Sequence, residues 1–125
     1  MARNIGSKNK STGSRFKAYE GRFANDKHVR LTKSMMLDPI YLGLSSNAKT
    51  LYNYMKMWAC GHDTVEYAAS LSSGFMSSST FFKARDELVE KGFIEYPNKY
   101  RARDMRETAE YEFSKRWSIP KVMPN

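Results

Sequence analysis

Between Ser77 and Lys83 the chain sets three serines, a threonine and a lysine, and Lys99, Arg101, Arg103 and Arg106 follow within a second short stretch. Hydroxyls both donate and accept hydrogen bonds, whereas ammonium and guanidinium groups only donate, and do so best to anionic oxygens. That set suits recognition of a polyanion and makes or breaks no bond. No glycine-rich phosphate loop, activated nucleophile or metal-ligand spacing accompanies it. Cys60, His62 and Asp63 lie close together, but at the end of an expected helix, where they fit a turn better than a site. One cysteine with only His28 and His62 forms neither an intramolecular disulfide nor a recognisable zinc cluster. No enzyme activity, cofactor or metal is therefore expected.

The hydroxyl and lysine groups need a helix to present them. Ser77 to Thr80 cap one equally well, because their oxygens accept orphan backbone N–H groups. Phe81, Ala84 and Leu88 then recur at helical spacing, with Phe82 and Val89 on the flank, which predicts a helix over 78–90. Phe82 is expected mainly in the core, with contact to a thymine methyl as the alternative. Arg85 stands where the stripe calls for an aliphatic residue. Either its stem snorkels to a carboxylate such as Asp86, or the helix is rotated from this register. Gly92 supplies a left-handed terminator, and Phe93–Tyr96 begins a strand.

A second helix is clearer still. After a cap at Ser45–Ser46, the residues Ala48, Leu51, Tyr52, Met55, Trp58 and Ala59 form one apolar stripe, placing Trp58 in the core, and Gly61 is expected to end the helix. Asp38-Pro39 reads as a cap with proline at the first helical position of a short helix closed by Gly43. Between the long helices, Asp63–Tyr67 predicts a strand and Ala68–Gly74 a short helix. Pro97-Asn98 predicts a turn, and the alternation over Tyr111–Trp117 predicts a last, half-buried strand.

Of 125 residues, 21 are Lys or Arg and 13 Asp or Glu, a formal net charge of +8. Residues 1–33 hold nine cations against Glu20 and Asp26 and are +7, residues 34–95 are −2 and residues 96–125 are +3. A slightly acidic module between basic ends suits a polyanion, since each neutralised phosphate releases counterions. The organisation expected is a flexible basic arm (1–27), one folded domain (28–118) and a tail (119–125). In the arm, Phe16, Tyr19 and Phe23 alternate with cations; docking on the domain or disorder is favoured over stacking on bases. The apolar runs are too short to span a bilayer and no apolar leader follows the N-terminus, so no membrane contact is expected, and the single cysteine fits a reducing, cytoplasmic setting.

Cap, helix, glycine and strand in this order resemble the third helix and second strand of a winged helix-turn-helix domain. The segments VRLTKSMML (29–37), SSNAKTLYNYMKMW (45–58) and ARDELVEKGFIEY (84–96) resemble small winged-helix proteins of bacterial mobile elements and phages, including replication-initiator and replisome-organiser N-terminal domains. The turn departs from the family pattern, with Phe75-Met76 in place of its glycine. The resemblance implies an α+β, mostly helical fold with a small antiparallel wing. It implies that helix 78–90 enters the major groove of double-stranded DNA, with Ser78, Ser79, Thr80, Phe82 and Lys83 toward it. Lys99, Arg101, Arg103 and Arg106 would meet phosphates from the wing, and Arg15, Lys17 and Arg22 from the arm. Such a protein acts in transcription or replication control, as a monomer or weak homodimer. The alternative is a protein-binding winged helix that inhibits a host nucleoprotein complex, such as an anti-CRISPR protein.

Overall fold

The computed structural model describes residues 17–23 and 25–118. Short helices α1 (Lys33–Met36) and α2 (Pro39–Leu42) lead into the long helix α3 (Ser46–Ala59). Strand β1 (Thr64–Tyr67), a 3-10 turn (Ala69–Ser72) and helix α4 (Ser78–Glu90) follow, then strands β2 (Ile94–Glu95) and β3 (Ala109–Phe113). The fold is α+β and mostly helical, with a three-stranded antiparallel sheet in the order β1-β3-β2. Among the described residues, no helix is long and apolar enough to cross a membrane.

Each α-helix starts on a side-chain cap. The oxygens of Thr32, Asp38, Ser45 and Ser77 accept the N–H groups of Met35, Ile40, Ala48 and Thr80 at 3.4, 2.9, 3.1 and 3.2 Å. These bonds satisfy donors that the first turn of a helix leaves without an intrahelical partner. Helix α4 ends as its glycine predicts. Gly92 sits at φ +89°, while the N–H of Phe93 reaches back to the carbonyl of Leu88 at 2.9 Å. A Cβ at Gly92 would stand 2.8 Å from the backbone nitrogen of Trp117, so both its φ and its surroundings exclude a side chain.

Helices α3 and α4 pack on one another and on the inner face of the sheet. Ala48, Leu51, Tyr52 and Met55 meet Phe81, Ala84, Leu88 and the strand residues Val65, Tyr67, Ile94 and Tyr111 in one core. Phe93 lies near its centre, edge-on to Tyr41 and Tyr52 at 6.0 and 5.8 Å and stacked on Trp117 at 5.6 Å. The outer sheet face is acidic. Strand pairing sets Glu66 opposite Glu110 and Glu95 opposite Glu112.

Several sequence expectations are corrected. Trp58 is 50% exposed rather than core. At about 100° per residue it falls roughly 80° from Ala48, at the stripe's edge, one residue before the helix ends. The left-handed residue that ends α3 is Cys60 (φ 53°), with Gly61 (φ 85°) after it. The helix expected over 68–74 is one 3-10 turn, Ala69–Ser72, pinned where the Tyr67 hydroxyl meets Ser72 Oγ at 2.7 Å. The last strand starts earlier, at Ala109, and stops at Phe113, because the chain then folds back so that the Trp117 N–H bonds the Gly92 carbonyl.

Candidate nucleic-acid interface

The hydroxyl groups foreseen at the start of α4 bond largely among themselves. Ser77 Oγ lies 3.2 Å from Ser79 Oγ and 3.0 Å from Thr80 Oγ1, besides capping the helix. Ser79 and Lys83 are exposed, while Ser78, Thr80 and Phe82 are half-buried. Capping and presentation therefore coexist in this turn.

Arg85 organises the flank of α4. It occupies the core face of the helix at 3% exposure, so the helical register foreseen holds, and the stem carries the guanidinium to Asp86 with the head itself buried rather than in water. Its Nε and Nη2 donate to Asp86 Oδ1 at 3.1 and 3.0 Å, and Nη1 donates to the Ala102 carbonyl at 2.8 Å. The guanidinium also lies over the rings of Phe82 and Tyr96, at 4.8 and 5.8 Å. Burial by itself would lower its pKa, but the contact with Tyr111, the neighbouring tyrosines and Asp86 outweigh it and hold the pKa above the ordinary value. Tyr111 Oη is buried beside this group without a hydrogen bond of good geometry. Burial pushes the hydroxyls of Tyr111 and Tyr96 upward in pKa, with Arg85 opposing.

Through the Ala102 carbonyl, Arg85 fixes the loop 96–108 against α4. The loop carries its own ties: Arg103 N–H to Glu107 at 2.9 Å, Arg106 N–H to Asp104 at 3.1 Å and Asn98 to Glu110 at 2.8 Å. Ser70 N–H donates to the Met105 carbonyl at 2.7 Å and anchors the loop to the 3-10 turn.

Between α4 and this loop lies a cavity of about 250 Å³ lined by Phe82, Arg85, Arg101, Ala102 and Arg103. A second, of about 370 Å³, is lined by Val89, Glu95, Tyr96, Lys99, Arg101 and Arg116. Arg101 borders both, and the pair of depressions beside the helix is termed the groove. Of the residues foreseen, the groove unites Phe82, Lys99, Arg101 and Arg103. Arg106, Lys17 and Arg22 are exposed but line neither cavity, and Arg15 lies outside the described residues.

Two groove residues went unforeseen as site residues. Arg85 announced itself as a cation in an apolar stripe. Arg116 gave no signal, yet its Nη2 donates to the Val89 carbonyl at 3.0 Å near the end of α4, and its Nε bonds Glu95 at 3.1 Å. Hydrogen bonds from Ser114 and Arg116 hold the Glu95 carboxyl below its ordinary pKa.

The acids of α4 are largely occupied. Asp86 Oδ1 takes Arg85 and also Arg101 Nη2 at 3.2 Å. Glu87 turns to α3 and accepts the N–H and hydroxyl of Ser45, both at 2.7 Å. Glu90 is exposed in the last turn. No three His, Cys, Asp or Glu residues among those described are grouped to hold a metal ion.

Compared with known proteins, the chain matches no family model, no curated protein and no solved structure.

Proposed function

We propose that the protein is a non-catalytic, double-stranded-DNA-binding winged helix of a phage or mobile element, acting in the cytoplasm in transcription or replication control. The observation that carries this reading is the basic groove between α4 and the loop 96–108, where Lys99, Arg101, Arg103 and Arg116 border the flank of α4. The element order α3, β1, 3-10 turn, α4, β2, β3 and the sheet order β1-β3-β2 support the winged helix. In this reading α4 lies in the major groove with Ser79 and Lys83 foremost, and the loop 96–108 is the wing on adjacent phosphates. The ion pairs of Asp86 with Arg85 and Arg101 offset part of the repulsion that α4 would otherwise offer a phosphate, while Glu87 is turned to Ser45. Hydroxyls and one lysine lack the Arg and Asn/Gln pairs that read guanine and adenine best, so sequence preference is modest.

The test is binding of the full-length protein to random-sequence duplex between about 50 and 200 mM salt, where a many-phosphate contact loses affinity by orders of magnitude. Lys83→Ala should weaken binding without unfolding the domain. Unchanged affinity in that variant would remove α4 from the interface.

One observation favours a second reading, in which the winged helix binds a protein and inhibits a host nucleoprotein complex. Tyr54, Met57 and Trp58 share an exposed stretch of α3, and Tyr54 stacks on exposed Phe75 at 4.2 Å. An uncharged aromatic ledge on a protein of net charge +8 suits a protein partner better than a phosphate. Binding that requires a host ribonucleoprotein and is absent with duplex alone would select this reading.

A further inference from the structure

We infer that the cavity between α4 and the loop 96–108 is a phosphate pocket gated by Asp86, which holds Arg101 until a phosphate group takes it. The inference rests on the polyanion reading of this face, and adds the group recognised and the residue that competes with it.

Three arginines, Arg85, Arg101 and Arg103, line one cavity of about 250 Å³. Like charges so gathered repel, and the carboxylate bonded to the cluster is that of Asp86. One of its oxygens receives Arg85 Nε, Arg85 Nη2 and Arg101 Nη2 at 3.1, 3.0 and 3.2 Å. Three positive charges against one negative leave the cluster at +2. A phosphate diester or monoester supplies one to two negative charges, and its oxygens accept from several guanidinium groups at once.

The two arginines held by Asp86 differ in freedom. Arg85 is buried, clamped by Ala102 and by the rings of Phe82 and Tyr96, and is a fixed donor. Arg101 is 58% exposed, lies over the other cavity's Tyr96 at 5.9 Å and reaches Asp86 through a single nitrogen. Asp86, itself 49% exposed, can release Arg101 to a phosphate and keep both bonds from Arg85, with water taking the vacated position. Exchange of an exposed ion-pair partner costs little, because such pairs contribute little to stability. The pocket therefore stays folded in both states, and only one side chain moves.

The test uses full-length protein, inorganic phosphate, and a duplex with and without a 5′-phosphate. Asp86→Asn keeps an oxygen for Arg85 but drops the charge, and should tighten duplex binding about 3- to 10-fold. Arg101→Ala should weaken binding and reduce the salt slope by about one, a change absent from the exposed reference variant Lys115→Ala. In the double variant the gain from Asp86→Asn should vanish, since Arg101 is the group released. Equal affinity for both duplexes assigns the pocket to backbone diesters, and preference for the 5′-phosphate assigns it to a terminal monoester. With the Arg101 dependence in place, both results support the pocket.

Duplex binding that persists while the Arg101 and Asp86 variants match Lys115→Ala would overturn the pocket and leave the DNA reading standing on α4. No duplex binding, with inorganic phosphate still shifting the Arg101 and Arg103 side-chain resonances, would uphold the pocket and overturn the DNA reading. A silent response to both ligands would overturn the pocket as well.

Discussion

On the outer face of the sheet, Glu66 stands opposite Glu110 and Glu95 opposite Glu112, whereas beside α4 three arginines, Arg85, Arg101 and Arg103, line one cavity. Both regions gather like charge, but they are supported differently. The acidic face tolerates its repulsion because the same strands bury Val65, Tyr67, Ile94 and Tyr111 on the other side. Cross-strand like-charge pairs cost tenths of a kcal/mol to about 1, against roughly 1.5–3 kcal/mol gained per large apolar side chain buried. The basic cavity instead depends on specific polar ties, Arg85 to Ala102 and Asp86 to Arg85 and Arg101. The acidic face has ties of its own, Glu95 to Ser114 and Arg116 and Glu110 to Asn98, but its main support is the apolar core beneath. Charge held by individual hydrogen bonds is a surface that substitution or a competing anion can rearrange. Under the proposed reading the difference also orients the molecule, with a polyanion repelled by the sheet and drawn to the groove.

The contrast can be broken first at its apolar support. Phe93→Ala should cost about 3–5 kcal/mol in chemical denaturation, because the ring is fully buried among Tyr41, Tyr52 and Trp117. A loss below 1 kcal/mol would mean that apolar burial does not underwrite the sheet. On the polar side, Arg85→Ala should cost about 2–4 kcal/mol through the lost stem and the stranded Ala102 carbonyl. It should also raise amide exchange in the loop 96–108 before it does so in α3.

Alkali probes the buried side of the sheet. Tyr52 lies beneath Phe113 and Phe93, and burial, with Tyr41 adding to it, pushes its pKa from 10.0 to about 12. The raised value means that the stabilisation is intact below pH 10 and is lost as pH climbs from about 10 to 12, amounting to about 2–3 kcal/mol. Denaturation midpoints across that range, read with phenolate absorbance, check the sign. Stability rising over the same interval would contradict it.

Smaller effects sharpen the comparison at exposed positions. Trp58→Ala should cost no more than about 1 kcal/mol, as befits a half-exposed ring. Glu112→Lys should add about 0.5 kcal/mol by relieving Glu95. The dependence of duplex binding on Arg101 should survive that change.

Much of the helical frame was legible in the sequence because caps, stripe and terminator agreed. Ser77, the Phe81–Ala84–Leu88 spacing and Gly92 delimit α4 as found, and Ser45 and Asp38 mark the starts of α3 and α2. Trp58 misled because a stripe records which residues are apolar and not how far the core extends past a helix end. Pairing of β1 with β3 joins Val65 to Tyr111, a contact that no local pattern encodes. The groove was half legible. Lys99, Arg101 and Arg103 stood out as a cationic run, but their tie to α4 runs through the Ala102 carbonyl, and backbone acceptors leave no trace in residue types. Arg116 reaches the groove only because the chain folds back on Gly92 after β3.

The measurement that tests the central claim most directly is the salt dependence of duplex binding for the full-length protein and its Arg101→Ala/Arg103→Ala variant. A logarithmic slope that falls by about one in the variant, with its melting curve unchanged, is the result predicted for the loss of one phosphate contact held by both arginines. An identical slope and affinity in the two proteins, or no duplex binding by either, would contradict the claim that this groove holds nucleic acid.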